Sequence, residues 1–147
     1  MGFDFCCYGG EENETEYIKK FKEMYSNGIN IPEGKLIVFK FVPDTEITHT
    51  WRGGKQGDFK KFRAQRICWI KEILEKKEIR SIKYNTKNQN IYFILNKRVG
   101  QWYWAVRCIV EKNSKQIRFL TSFPLTPAQK NKYSKWPEYF FDKQKSC

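Results

Sequence analysis

Four short apolar segments follow one another in the second half of the chain, separated by polar segments too short to hold a crossover helix. They are residues 79–84, 91–96, 101–110 and 117–123, the last bounded by Pro124. Parallel strands need a crossover of a dozen or more residues, whereas antiparallel neighbours need only a tight turn. The spacing therefore predicts a four-stranded antiparallel meander.

In the longest of these strands, 101–110, the two sets of alternating side chains differ in character. Successive side chains of a strand point to opposite sides of the sheet. Tyr103 and Arg107 fall on the side that we expect to be open, together with Ile109. The opposite side, which we predict to line the core, carries Trp102, Trp104, Val106, Cys108 and Val110.

The region before the meander begins with a helix signal. Asn13 followed by Glu16 is the pattern of a capping box, and Gly28 is typical of a helix end. Residues 36–42 are predicted to form a strand. Residues 44–58, which include Gly53, Gly54 and the only histidine, are predicted to form a loop.

Residues 59–76 show the clearest helical periodicity of the chain, with one apolar and one polar arc. A last helix is expected to begin at Thr126, because Pro127 suits the first helical position and Gln129 completes a capping pattern. The predicted fold class is α+β, with the helices packed on one face of the sheet. We expect a single domain over residues 1–147, of which residues 1–12 form a poorly ordered lead.

Arg63 and Arg66 lie near the middle of the apolar arc of the 59–76 helix. A guanidinium there must extend past the end of the core or meet an acceptor. Two interpretations stay open: an arginine that is solvated or ion-paired, or a pair of cations that point into a functional cleft.

The formal net charge of +12 indicates an anionic partner, although a solvated lysine-rich surface is the simpler explanation. Cations interleaved with aromatic residues, which make up 17% of the chain, favour nucleic acid over a membrane surface. No apolar run is long enough to cross a bilayer, and we expect no membrane association. The residues expected to contact nucleic acid are Arg52, Lys55, Tyr103, Arg107 and Arg118.

The five cysteines are odd in number and follow no regular spacing. This pattern favours reduced thiols in a cytoplasmic protein, and no signal peptide is expected at the start of the chain. With one histidine and no paired C-x-x-C spacing, no metal site is predicted. We also expect no cofactor, because neither a P-loop nor a G-x-G-x-x-G motif is present.

His49 is the only imidazole, and imidazole titrates near neutral pH, as proton transfer requires. An ordinary surface histidine is the simpler interpretation. The sparse carboxylates argue against a two-metal nuclease. RNA offers another route, because its 2′-hydroxyl attacks the adjacent phosphate when a protein supplies an acid or base and cations.

Two motifs carry a family resemblance. After His49 comes the helical segment Arg63-Ala-Gln-Arg66-Ile-Cys-Trp69-Ile70, and the last strand ends in Thr121-Ser122-Phe123-Pro124. In this order they resemble the phage-associated branch of the barnase–EndoU–colicin–RelE nuclease superfamily, over a nuclease-like core at residues 44–125. Two features depart from the pattern: the 44–58 loop has no second histidine, and no proline-containing turn follows the helix.

The resemblance implies a metal-independent endoribonuclease, in a family that includes toxins and effectors. It implies that His49 is the acid or base and that Arg63 and Arg66 bind the phosphate. Thr121 would supply the hydroxyl at the end of the strand, with Ser122 beside it.

The implied partners are RNA, with tRNA as a candidate, and an acidic antitoxin or immunity protein. Two alternatives remain: a non-catalytic nucleic-acid-binding module that stacks bases on Trp102, Tyr103 and Trp104, and a basic interaction protein.

Overall fold

The computed structural model describes residues 13–52, 58–112 and 116–141, and within these ranges the fold is α+β. The helices are α1 (Glu14–Tyr25), α2 (Thr45–Arg52), α3 (Lys61–Ala64), α4 (Cys68–Glu75) and α5 (Pro127–Ser134), and a 3-10 turn spans Lys77–Ile79. The strands are β1 (Ile29–Ile31), β2 (Lys35–Val38), β3 (Arg80–Asn85), β4 (Asn90–Leu95), β5 (Tyr103–Val110) and β6 (Ile117–Leu125).

The described strands form one sheet in the order β1-β2-β6-β5-β4-β3. Strands β3 to β6 are antiparallel neighbours, but the prediction of a four-stranded antiparallel sheet is wrong. The sheet has six strands and is mixed, because β2 pairs with β6 in parallel through Ile37–Ile117 and Val38–Arg118. The whole segment between β2 and β6 serves as their connection, which is long enough for a parallel pair.

Strand β6 continues to Leu125, although Pro124 was expected to end it. Pro124 is paired with Trp104 of β5, whereas the pairing with β2 stops at Arg118. A proline lacks the backbone donor of a strand interior and is tolerated where one side of the strand is unpaired.

The main core lies on one face of the sheet, beneath α1, α2 and α4. Phe21, Trp51 and Ile70 come from these helices and are buried against β5 and β6 residues such as Trp104 and Phe119. This is the face that the alternation of β5 predicted to be buried, and the burial of Trp104, Val106 and Cys108 confirms it.

The opposite face is covered as well, so the prediction that all helices lie on one face is wrong. Tyr92 and Leu125 of the sheet are buried there beside Tyr133 and Trp136, from α5 and the segment after it. Apolar side chains on both faces require cover on both. Tyr103 and Phe123 are also part of this cluster.

The helix predicted over 59–76 is divided into α3 and α4. Between them the backbone N–H groups of Arg66, Ile67 and Trp69 donate to carbonyls three residues earlier, at 3.0–3.3 Å. Such bonds wind the chain more tightly than an α-helix. Arg63 and Arg66 therefore do not share the continuous helix face that the periodicity implied.

The loop predicted over 44–58 contains α2, so that prediction is wrong for Thr45–Arg52. Ile47, Thr50 and Trp51 are buried at helical spacing on one side of α2. Two turns of helix give too short a pattern to stand out in the sequence. The two predicted caps are confirmed: the side chains of Asn13 and Thr126 accept bonds from the backbone N–H groups of Glu16 and Gln129.

Cys68 is disulfide-bonded, so the expectation of reduced thiols is wrong for this residue. Its partner lies outside the described residues. Cys108 is free and fully buried in the core, and burial raises the pKa of its thiol. The cysteine pattern therefore no longer supports a cytoplasmic location.

Gly28 turns the chain from α1 into β1, with φ of +72°, and a Cβ there would lie 2.7 Å from the Ile37 carbonyl oxygen. We expect Gly28→Ala to lower the free energy of unfolding by about 2 kcal/mol or more, measured by chemical denaturation, because the clash adds to the left-handed backbone strain. Gly34 has φ of +83° and nothing within 4 Å, so Gly34→Ala should cost only the strain, about 1 kcal/mol. Equal losses in the two variants would contradict this reading.

Candidate functional site

A cleft of about 500 Å³ lies beside the C-terminal half of β6. Helix α2 packs against β6 there, and α3 contacts α2. Strand β2 pairs with β6 only at Ile117 and Arg118, so this edge of β6 is open to the helices. The cleft is lined by His49, Lys60, Arg63, Arg107, Thr121, Phe123 and Pro124.

Arg63 reaches from α3 to the edge of β6. Its Nη2 donates to the Ser122 carbonyl oxygen at 2.6 Å and lies 3.4 Å from Thr121 Oγ1. Its Nε is buried with no hydrogen-bond partner among the described residues. Burial lowers the pKa of Arg63 to about 10, so the side chain is still a cation at neutral pH. A desolvated cation of this kind gains from a bound anion.

A bulge in β6 sets the direction of Thr121. Arg107 pairs with Thr121 while Cys108 pairs with Phe119, which leaves Leu120 as the extra residue. Thr121 therefore lies beside Arg107 rather than on the core face with Phe119. Bulges commonly redirect side chains next to functional sites. The Thr121 hydroxyl donates to the His49 carbonyl oxygen at 3.2 Å and so joins β6 to α2.

His49 is an exposed residue of α2, on the side opposite the buried Ile47 and Trp51. His49 lines the cleft together with Arg63 and Thr121, and its backbone carbonyl holds the Thr121 hydroxyl. Three of the five residues to which the resemblance assigned a role, His49, Arg63 and Thr121, are therefore in one cleft.

Arg107 also lines the cleft, beside Thr121. Its Nε donates to Oδ1 of the buried Asn90 at 2.5 Å, and its guanidinium lies 5.9 Å from the centre of the Tyr92 ring. Asn90 is held in turn by its contacts with Asn88. Arg107 is thus oriented by an amide rather than by a carboxylate.

The cleft is strongly cationic. Lys60, Arg63 and Arg107 line it, and no carboxylate does so among the described residues. Within the same ranges, none of the three forms an ion pair within 4.0 Å. Cations without acidic neighbours, a hydroxyl and an imidazole together form a site suited to a phosphate group.

Arg66 and the Ser122 hydroxyl are not part of this arrangement. Arg66 donates to the Phe62 carbonyl oxygen at 2.8 Å and stacks on the Phe62 ring, at 4.0 Å from its centre. The buried Ser122 hydroxyl accepts a bond from Trp104 Nε1 at 2.7 Å, on the core side of the sheet. Only the backbone carbonyl of Ser122 reaches Arg63.

The other residues expected to contact nucleic acid are distributed over the molecule. Arg52 forms a two-point ion pair with Glu14, and its hydrogen bond holds the pKa of Glu14 below the usual value. Arg118 pairs with Glu111 and Glu46.

Tyr103 packs under Lys130 of α5, whose Nζ lies 5.0 Å from the ring centre, rather than standing on an open face. Lys55 lies outside the described residues. Of the four expected contacts that the structure describes, only Arg107 is in the cleft.

The sequence analysis did not assign Lys60, Phe123 or Pro124 to a site, although all three line the cleft. Phe123 and Pro124 are part of the motif that carried the resemblance, so that motif could have identified them as site residues. Lys60 lies three residues before Arg63, at the N-terminal cap of α3, where nothing in the local pattern separates it from neighbouring lysines.

Comparison of the chain with protein-family models, with curated proteins and with solved structures finds no match. In residues 13–52, 58–112 and 116–141, no helix is both long and apolar enough to cross a bilayer. The same ranges contain no cluster of three or more His, Cys, Asp or Glu side chains placed to hold a metal ion.

The cleft predicts different roles for two arginines three residues apart. We expect Arg63→Gln to weaken binding of inorganic tripolyphosphate about tenfold, because a charged hydrogen bond is worth about 1.5–3 kcal/mol. Arg66→Gln makes the same charge change outside the cleft and should alter the affinity less than threefold. Isothermal titration calorimetry would measure both, and equal losses would show that only net charge matters.

Proposed function

We propose that this protein is a metal-independent endoribonuclease, and that the cleft holds the scissile phosphate of RNA. One observation carries the proposal: His49, Arg63 and Thr121 line one cleft with Lys60 and Arg107, and none of the described lining residues is acidic. The resemblance to the barnase–EndoU–colicin–RelE superfamily supports the same function.

In the proposed reaction, the ribose 2′-oxygen attacks the adjacent phosphorus and the bond to the 5′-oxygen breaks, which leaves a 2′,3′-cyclic phosphate. His49 takes the proton from the 2′-hydroxyl or supplies one to the departing 5′-oxygen, and water serves the other of these two proton transfers. Arg63, Arg107 and Lys60 stabilise the extra negative charge of the transition state. The cationic lining acts on the phosphate directly, whereas a metal-dependent site would need oxygen ligands.

Thr121 has a positioning role in this proposal. Its hydroxyl contacts both the Arg63 guanidinium and the backbone of His49, so it fixes the distance between the cation and the helix that carries the imidazole. Small displacements of catalytic groups are costly, because the reaction needs near-attack geometry.

We further propose that the partners of the protein are RNA, with tRNA as the first substrate to test, and an acidic antitoxin or immunity protein. Carboxylates of such a protein would pair with the uncompensated cations of the cleft and block it. A role as a toxin or effector follows from this pairing.

A second function suits the same cleft: binding of nucleic acid without cleavage. The observation that favours it is the single histidine of the chain, because acid and base steps are usually shared between two groups. A third function, that of a basic interaction protein, would leave the cleft without affinity for RNA.

Incubation with total tRNA in EDTA tests the proposal. We expect the wild type to produce fragments with cyclic-phosphate ends, and His49→Ala to slow cleavage by about 100-fold or more, as loss of a general acid or base does. Thr121→Val should slow it about tenfold, since it loses the positioning contacts. Thr48→Val serves as the control, because it removes a hydroxyl of α2 whose hydrogen bond is to the Thr45 carbonyl of the same helix.

The outcomes separate the three functions. Cleavage that appears only with added Mg²⁺ or Mn²⁺ would contradict a metal-independent reaction. RNA binding that is salt-sensitive but leaves the RNA intact would identify a binding module. Absence of RNA affinity at physiological salt would leave the interaction protein.

A further inference from the structure

A second cavity, of about 420 Å³, adjoins the cleft and is mainly aromatic. Phe62 of α3 faces Trp102 and Trp104 there, with ring centres 6.3 and 5.8 Å apart, and Trp69 of α4 closes the inner side. We call this cavity the aromatic groove. Trp69 and Trp104 are buried and form its floor, whereas Trp102 is partly exposed.

Phe62 keeps 40% of its surface exposed at the mouth of the aromatic groove. An exposed phenyl ring beside a partly exposed indole costs solvation free energy, which a bound planar ligand would recover. The two rings are tilted by 54° with their centres 6.3 Å apart, which is a contacting aromatic pair, so a base would stack on their exposed surface rather than insert between them.

Arg66 gives the aromatic groove a positive charge. Its guanidinium carbon lies 4.0 Å from the Phe62 ring centre and 5.4 Å from that of Trp69. Among the described residues, the Arg66 guanidinium donates a hydrogen bond only to the Phe62 carbonyl oxygen, and no carboxylate of these residues lines the groove. Nucleobases stack on aromatic rings and on arginine planes, and both surfaces are present here.

The aromatic groove and the phosphate cleft share a thin wall. Phe62 lines the groove and the next residue, Arg63, lines the cleft. Across the sheet, Trp104 of the groove is the register partner of Pro124 of the cleft. Ser122 accepts a hydrogen bond from each side: its hydroxyl accepts from Trp104, and its backbone carbonyl accepts from Arg63.

Consecutive Cα atoms are about 3.8 Å apart, and facing strand residues are about 4.5–5.5 Å apart. The two cavities are therefore lined by residues that are neighbours along the chain and across the β5–β6 pair.

We infer that the aromatic groove binds an unpaired RNA base against Phe62, Arg66 and Trp102, while the phosphate of the same nucleotide lies in the cleft. This inference rests on the proposed function and names the form of its substrate: single-stranded RNA or a loop, since paired bases stay within the helix stack. It also replaces the base platform expected from the sequence, because Trp104 is buried and Tyr103 is on the other face of the sheet.

Binding of an RNA that is resistant to cleavage tests the inference separately from catalysis. The probe is a short fluorescein-labelled single strand with 2′-O-methyl groups, measured by fluorescence anisotropy beside its fully paired duplex and inorganic tripolyphosphate. We expect Phe62→Ala and Trp102→Ala each to weaken single-strand binding about tenfold, or about 1.4 kcal/mol, as loss of one base stack does. Duplex and tripolyphosphate affinities should change less than twofold.

Phe140→Ala is the control, because it removes an exposed phenyl ring that lies outside both cavities. Trp102→Phe keeps a stacking surface and should retain most of the affinity, which guards against loss through misfolding. Single-strand affinity unchanged in Phe62→Ala and Trp102→Ala would overturn the inference, as would equal losses for all three probes. If the variants behave as expected but the wild type leaves tRNA intact in EDTA, the result supports the base-binding site and contradicts the proposed ribonuclease activity.

Discussion

The site depends on the half-paired edge of β6. Strand β2 pairs with β6 at only two positions, the second being Arg118, while β5 follows β6 along its length. Beyond that point, hydrogen bonds to the helices take the place of a neighbouring strand. The Arg63 guanidinium donates to the Ser122 carbonyl, and the Thr121 hydroxyl holds the backbone of α2. The groups that satisfy the edge of the sheet are therefore the groups that line the cleft.

Six of the seven arginines fall into two classes according to their acceptors. Arg52, Arg80 and Arg118 bond carboxylates, and buried Arg80 also donates to the carbonyls of Ile73 and Leu74, so these side chains stabilise the fold. Arg63, Arg66 and Arg107 bond carbonyl or amide oxygens of the described residues instead, and they line the two adjoining cavities. A neutral acceptor orients a guanidinium without cancelling its charge, which leaves the charge available to a ligand.

Much of the fold could be predicted because it is encoded over short distances. Alternation along β5 separated Trp104 and Val106 from Tyr103 correctly, and the caps at Asn13 and Thr126 mark helix starts. Predictions failed where a local pattern was too short or was overridden by packing. Helix α2 spans only Thr45–Arg52, and the break between α3 and α4 interrupts a periodicity that looked continuous.

The sequence by itself determined the strand candidates, the core face of β5, the large positive charge and the residue types able to handle a phosphate, because these depend on composition and on neighbours along the chain. Tertiary structure decided which cations meet. The tight turn between α3 and α4 separates Arg66 from Arg63, the bulge at Leu120 places Thr121 beside Arg107, and the short β2 leaves an edge for α2 to cover. The bulge and the short β2 follow from pairing between distant segments, which no local pattern records, whereas the turn interrupts a periodicity that predicted one continuous helix.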